Sequence, residues 1–229
     1  ETIKINIEGQ FLKYITSKDL ILKIIGDVGA DGALYKSVEF TGDTIREMSI
    51  DSRMVLSNMS VEMGAKFAII YPDEIVDKYL ANRAKKHYKW VLPDSDAVYL
   101  KELNYNVNDI EPYIAKPHTV DNVSPVLETT GQKIDQVFFG SCTNGRLEDF
   151  HAAAKLLKGR KIAKNVRMLA FPASKPILQQ IILDGTAQIL LNAGVILMNT
   201  GCGPCLGAHM GVLAASERCL STTNRNFVG

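Results

Sequence analysis

Residues 3–7 alternate strictly, with Ile3, Ile5 and Ile7 on one side of the chain and Lys4 and Asn6 on the other. A period of two belongs to a strand with one buried face, and Gly9 ends it. From Ser17 the apolar positions change to helical spacing, at Leu20, Ile21, Ile24 and Ile25, with Gly26 as the expected stop. The pattern then predicts a strand at 35–40, helices at 44–48 and 51–64, and a buried strand at 67–71. Pro72-Asp73 opens a further helix through Ile75, Val76, Tyr79 and Leu80, which is expected to end in a basic turn at 85–87.

Residues 87–132 break this rhythm. They carry Pro93, Pro112, Pro117 and Pro125 around one alternating stretch at 98–106, which reads as a strand plus a long connection. Beyond Lys133, strands at 137–140, 166–171, 195–198 and near 219–222 alternate with helices at 147–157 and 175–183 and with an apolar stretch at 210–215. Strands joined by crossover helices form a parallel sheet covered on its faces. The fold class is therefore α/β, in two domains at 1–125 and 126–229, each a sheet with helices packed on its faces. Ligands in such sheets bind at the carboxyl ends of the strands.

Composition narrows the function classes. The chain has 229 residues and a net charge of +1, so no polyanion or membrane surface is expected as a partner. The longest apolar run, 189–198, is interrupted by Asn192 and too short to span a bilayer. No secretory signal is visible. Four cysteines are too few for a disulfide scaffold, which points to a reducing, cytoplasmic setting and to metal or redox use. A start at Glu1 and a stop at Gly229 suggest processing or a piece of a longer protein.

Two strand-end loops contain cysteine. The strand 137–140 runs into Gly140-Ser141-Cys142-Thr143-Asn144-Gly145-Arg146, and the strand 195–198 runs into Cys202-Gly203-Pro204-Cys205-Leu206-Gly207. Both loops fall on one rim, so Cys142, Cys202 and Cys205 can converge. Three soft thiolates suit an iron–sulfur cube that keeps one iron open as a Lewis acid. Other readings stay open on these residues. Cys202 and Cys205 also have the spacing of a thiol–disulfide redox pair, and His209 could complete a structural zinc site. Cys219, in a predicted strand, reads as core. Cys142 separates the readings, because the redox pair does not need it.

Together with Thr223-Asn224-Arg225-Asn226-Phe227, these loops resemble the aconitase superfamily, in the family's own order. The wording is most similar to its large-subunit branch, the 3-isopropylmalate dehydratases and homoaconitases. Ser57-Asn58-Met59-Ser60-Val61-Glu62-Met63-Gly64-Ala65 resembles the family's asparagine/glutamate helix; Pro117-His118-Thr119-Val120-Asp121-Asn122 and Pro172-Ala173-Ser174 also fit. The resemblance implies a hydro-lyase that isomerises a hydroxy-di- or tricarboxylic acid by dehydration and rehydration, in leucine or lysine-type (2-oxoacid chain-elongation) biosynthesis. It implies one [4Fe–4S] cluster per large subunit, held by Cys142, Cys202 and Cys205, and expected to be missing from protein handled in air. Glu62 would handle the departing water with Asn58 beside it, their spacing of four residues giving them one helix face. Arg225 and Asn224 would bind the substrate, and Asn144 and Ser141 would support the cluster. The cleft is expected where the rim of the second sheet meets the Asn58/Glu62 helix. Arg146 and Arg218 read as structural or surface charges, and neither His118 nor His209 receives a role. The partner implied is a small subunit carrying a swivelling domain with the catalytic serine. The family's N-terminal domain, with its Asp-Ser-His motif, and a further arginine past Gly229 have no match, so the chain alone is expected to be inactive.

Overall fold

The computed structural model describes residues 1–226. The chain divides into two compact units, Glu1–Ala115 with Val120–Val126, and Lys116–Thr119 with Leu127 onward. The first unit contains, in order, β1 (Thr2–Glu8), α1 (Ser17–Val28), β2 (Ser37–Thr41), α2 (Asp43–Glu47), α3 (Ile50–Met59), β3 (Phe67–Ile70), α4 (Glu74–Leu80), β4 (Lys101–Asn106), and the short strands β5 (Tyr113–Ala115) and β6 (Val123–Pro125). Four of the strands form a sheet in the order β3-β2-β1-β4, with every pair parallel. Its core is the apolar side of that first alternation: Ile3, Ile5 and Ile7 are buried with Leu20, Ile21, Ile24 and Ile25 of α1, Phe40, and Leu56 and Met59 of α3. The other side of β1 meets polar neighbours, with Lys4 3.5 Å from Glu102 and Tyr99 donating to Glu39 at 2.6 Å.

Thr16 starts α1 by accepting from the backbone of Lys18 while Asp19 accepts from the backbone of Thr16. The helix does not stop at Gly26 but continues to Val28 and ends at Gly29. Gly26 serves packing instead, since a Cβ there would lie 3.1 Å from the side chain of Val123 in β6. The antiparallel β5–β6 pair was not expected from the sequence. Long-range bonds fasten this region to α1 and the turn after it, from Tyr113 N of β5 to Asp19 Oδ1 (3.1 Å) and from Ala30 N to Asp121 Oδ2 just before β6 (3.0 Å). The helix after Pro72 ends at Leu80 rather than in the basic turn at 85–87. It buries no residue, so nothing in the core extends it.

Asp73 caps α4 by accepting from Ile75 N and Val76 N, and it also binds Arg53 Nη2 at 2.6 Å. Arg53 is only 3% exposed, and its Nε and Nη1 have no partner among the described residues. Removing Asp73 therefore strands a buried charge. Asp73→Ala is expected to cost about 3 kcal/mol, measured as a fall in the urea midpoint. The Arg53 hydrogen bond holds the Asp73 carboxyl below its ordinary value. Its stabilisation is therefore complete above the unfolded pKa and is lost as pH falls through the lower folded value.

The second unit contains β7 (Gln136–Gly140), α5 (Ser141–Asn144), α6 (Leu147–Leu157), β8 (Arg167–Phe171), α7 (Lys175–Leu183), α8 (Thr186–Ala193), β9 (Ile196–Leu197) and β10 (Cys219–Ser221). The strand order is β10-β7-β8-β9, again with every pair parallel. One apolar cluster gathers Phe139, Phe150, Ala170, Ile181 and Leu190. A smaller one gathers Phe138, Leu169 and Phe171, with Met198, Cys205 and Cys219 against it. The apolar run 189–198 resolves into the end of α8, a left-handed turn at Gly194 and β9. The stretch 210–215 forms no regular element. No described helix is long and apolar enough to cross a membrane.

Candidate functional site

Both cysteine loops leave the carboxyl ends of strands in the second sheet, with β8 standing between β7 and β9. At the end of β7 the chain reverses tightly. Gly140 has φ +110°, and a Cβ there would lie 2.2 Å from the carbonyl oxygen of Phe171. Ser141 follows with φ +69°, a left-handed conformation that costs a residue with a side chain about 1 kcal/mol. The reversal turns Ser141 and Thr143 fully inward and leaves Cys142 exposed. The chain past β9 also settles on Phe171. A Cβ at Gly203 (φ +54°) would lie 2.9 Å from the Phe171 ring. Cys202 is thereby exposed and Cys205 half-buried against the Phe138–Phe171 cluster. One residue of the central strand thus seats both thiol loops, the first on its carbonyl and the second on its ring.

All four cysteines are thiols. Among the described residues, no three His, Cys, Asp or Glu side chains are gathered closely enough to hold a metal ion. The donor set nevertheless suits a thiolate-held cluster: Cys142, Cys202 and Cys205 lie on one rim of one sheet, on loops that glycines let approach Phe171. Polar groups beside Cys142 also lack partners, since Ser141 Oγ and Asn144 Oδ1 are buried and accept or donate nothing among the described residues. Asn144 uses its nitrogen on Asp149 Oδ1 at 3.3 Å. Cys219, like Cys205, packs on the Phe138–Phe171 cluster, and burial pushes its thiol pKa up, which disfavours the thiolate a metal needs.

The loop 222–226 follows β10 onto the same rim. Thr222 N donates to Phe138 O (3.0 Å) and Thr222 Oγ1 accepts from Gly140 N (3.0 Å). Thr143 Oγ1 donates to Asn224 Oδ1, between two buried side chains. Asn226 Nδ2 donates to Lys116 O (2.8 Å) and Thr119 O (3.2 Å). Arg225 is the exposed residue between the two asparagines. Phe227, the last residue of the quoted run, lies outside the described residues.

Asn58 and Glu62 belong to the first unit, where both are half-buried. The single helix expected over 51–64 is two pieces: α3 ends at Met59, and a 3-10 turn covers Ser60–Met63 before Gly64 closes it in the left-handed region. Ser60 Oγ donates back to Leu56 O at 2.9 Å, at the point where the winding tightens. A 3-10 residue advances about 120° rather than about 100°, so the two side chains diverge further than a continuous α-helix would place them. Arg146 N donates to Asp149 Oδ2 at the start of α6 (2.9 Å), and Arg218 Nη1 donates to Gln132 on the surface (2.9 Å). His118 and His209 are exposed. Thr143, Asn226 and Phe171 were not singled out from the sequence. Each acts through a partner tens of residues away, and no local pattern signals that.

Comparison with known proteins gives a consistent picture. The family described as "Aconitase family (aconitate hydratase)" matches residues 1–229. The chain is 53% identical over 229 residues to a probable methanogen homoaconitase large subunit of Methanosarcina mazei, covering all of this chain and 58% of that protein. It is 49% identical over 229 residues to the 3-isopropylmalate dehydratase large subunit of Heliobacterium modesticaldum, covering 54% of that one. The chain therefore spans little more than half the length of these relatives. Among solved structures, aconitase X of Thermococcus kodakaraensis in its holo-form superposes with a TM-score of 0.50 at 12% identity, over 91% of this chain and 46% of that one. That likeness shows the fold.

Proposed function

The chain belongs to the aconitase family, and from that premise we propose that it is the iron–sulfur-binding part of a hydro-lyase large subunit. The reaction is the reversible dehydration and rehydration of a hydroxy-di- or tricarboxylic acid, of the 3-isopropylmalate or homoaconitate kind, in leucine or lysine-type biosynthesis in the cytoplasm. The observation that carries this reading is the rim of the second sheet, where the Cys142 and Cys202–Cys205 loops share one seat on Phe171.

Cys142, Cys202 and Cys205 would hold one [4Fe–4S] cluster. When bound, it supplies a Lewis-acidic iron that polarises the substrate hydroxyl, a poor leaving group otherwise. The protein's own residues do the rest. The Arg225 guanidinium binds a substrate carboxylate through its planar fork. Asn224 supports it with the amide nitrogen left over from its bond to Thr143. Ser141 Oγ and Asn144 Oδ1, buried beside Cys142 with no partner among the described residues, would support the cluster. Asn58 positions the substrate, and the Glu62 carboxyl gives a proton to the departing hydroxyl and takes it back on rehydration. A small subunit with a swivelling domain supplies the base on the opposite side; both relatives above are named as large subunits.

The test is anaerobic reconstitution with iron and sulfide, followed by metal analysis and visible and EPR spectra. The expected result is a broad sulfide-to-iron charge-transfer band with about four irons per chain. A colourless protein that instead cycles a Cys202–Cys205 disulfide at a defined potential would replace this reading with a thiol–disulfide redox function.

A further inference from the structure

Thr222, Asn224 and Asn226 are each tied to a different part of the second unit, and Thr223 bonds back to Ser221. Thr222 is bound on both sides by β7, through Phe138 O and Gly140 N. Asn224 is held by Thr143, which is fully buried in the turn that carries Cys142. Asn226 gives its amide nitrogen to two carbonyls, Lys116 O and Thr119 O, more than a hundred residues back in the chain. Arg225 alone stands exposed between two anchored neighbours.

We propose that Thr143 and Asn226 are positioning residues, a two-point clamp that sets Arg225 as the carboxylate-binding group of the site. The proposal rests on the hydro-lyase reading of Arg225 and goes beyond it, because neither clamp residue needs to touch the substrate. A guanidinium fork matches a carboxylate only in its own plane, so two parallel hydrogen bonds require a base that does not rock. Asn224 and Asn226 are the residues whose freedom would rock it. With Oδ1 of Asn224 taken by Thr143, the amide nitrogen is the end left for an anion. With the Asn226 amide turned to the 116–119 segment, the loop cannot pivot about its far end. The clamp also links the position of Arg225 to the turn that carries Cys142, one residue from Thr143.

The experiment is a double-mutant cycle in the assembled enzyme. Thr143→Val, Thr143→Ser and Asn226→Ala are each made with Arg225 present and with Arg225→Ala. The dissociation constant of tricarballylate, a tricarboxylate with no hydroxyl to lose, is measured by calorimetry and normalised to bound iron. With Arg225 present, Thr143→Val and Asn226→Ala are expected to weaken binding about tenfold and to raise KM more than they lower kcat, while Thr143→Ser restores the parent value. In the Arg225→Ala background the same substitutions are expected to change binding by less than about twofold. Equal losses in the two backgrounds would overturn the clamp. Unchanged binding by Arg225→Ala alone would instead overturn the assignment of Arg225 itself. Asn226 is half-buried at the loop's edge, so its variant carries the test even if Thr143→Val fails to fold.

Discussion

Cys142→Ser protein, reconstituted anaerobically with iron and sulfide, is expected to lose the charge-transfer band and to retain less than about a quarter of the parent's iron, whereas Cys219→Ser keeps both. The two cysteines differ in surroundings rather than in chemistry. Cys142 is exposed on a turn whose neighbours Ser141 and Thr143 are fully buried. Replacing its sulfur by oxygen removes a soft ligand and disturbs no packing, so thermal stability of the apo protein should not change. Cys219 sits half-buried against Phe138 and Phe171, with Gln136 Nε2 3.8 Å from its sulfur. Burial pushes its thiol pKa up, and its loss should be felt in stability and not in iron content. Iron and sulfide analysis on the two variants side by side checks this. A Cys142→Ser protein as brown as the parent would end the three-cysteine assignment, and a colourless Cys219→Ser protein would name a different third ligand.

What the sequence foretold depended on whether the controlling interaction was local. The alternation of Ile3, Ile5 and Ile7 and the helical spacing from Leu20 to Ile25 are properties of the chain itself, and β1 and α1 follow them. Gly26 misled for a related reason. A glycine near a helix end is a common stop, but this one makes room for Val123, ninety-seven residues on. The β5–β6 pair was hidden by its prolines and its length of three residues a strand, since the bonds of this region to Asp19 and Ala30 are made in space and not in sequence.

The site divides in the same way. The tight turns of the two cysteine loops were legible, because glycine marks backbone that must approach a neighbour closely, as Gly140 and Gly203 do at Phe171. The floor beneath them was not, for nothing in the run Ala170-Phe171-Pro172 says that the Phe171 carbonyl and ring will seat both loops. The spacing of Asn58 and Glu62 was legible as four residues, yet the change of winding at Ser60 follows from a side-chain bond to Leu56 that the spacing alone cannot express. Thr143 lay inside a quoted motif, and only its buried bond to Asn224, eighty-one residues away, gives it a part.

Arg225→Lys is expected to raise KM for the substrate roughly a hundredfold while leaving the urea midpoint unmoved. Lysine keeps the charge, so a purely Coulombic role at an exposed position would cost little. What lysine lacks is the planar pair of donors, and the loop is built to hold such a pair in one orientation, with Thr222, Asn224 and Asn226 all bound and Arg225 between them. The contrast with Asp73 makes the prediction specific. Asp73→Ala strips a buried arginine of its only carboxylate partner among the described residues and should appear in stability first. Arg225 is exposed, so its substitution should appear in substrate affinity alone. Steady-state kinetics at several ionic strengths separates the two kinds of charge. If Arg225→Lys loses its deficit as salt is lowered, the residue acts as a point charge and the fork is irrelevant. A deficit that persists at low salt means that the geometry of the guanidinium, and hence the loop that aims it, is what the substrate reads.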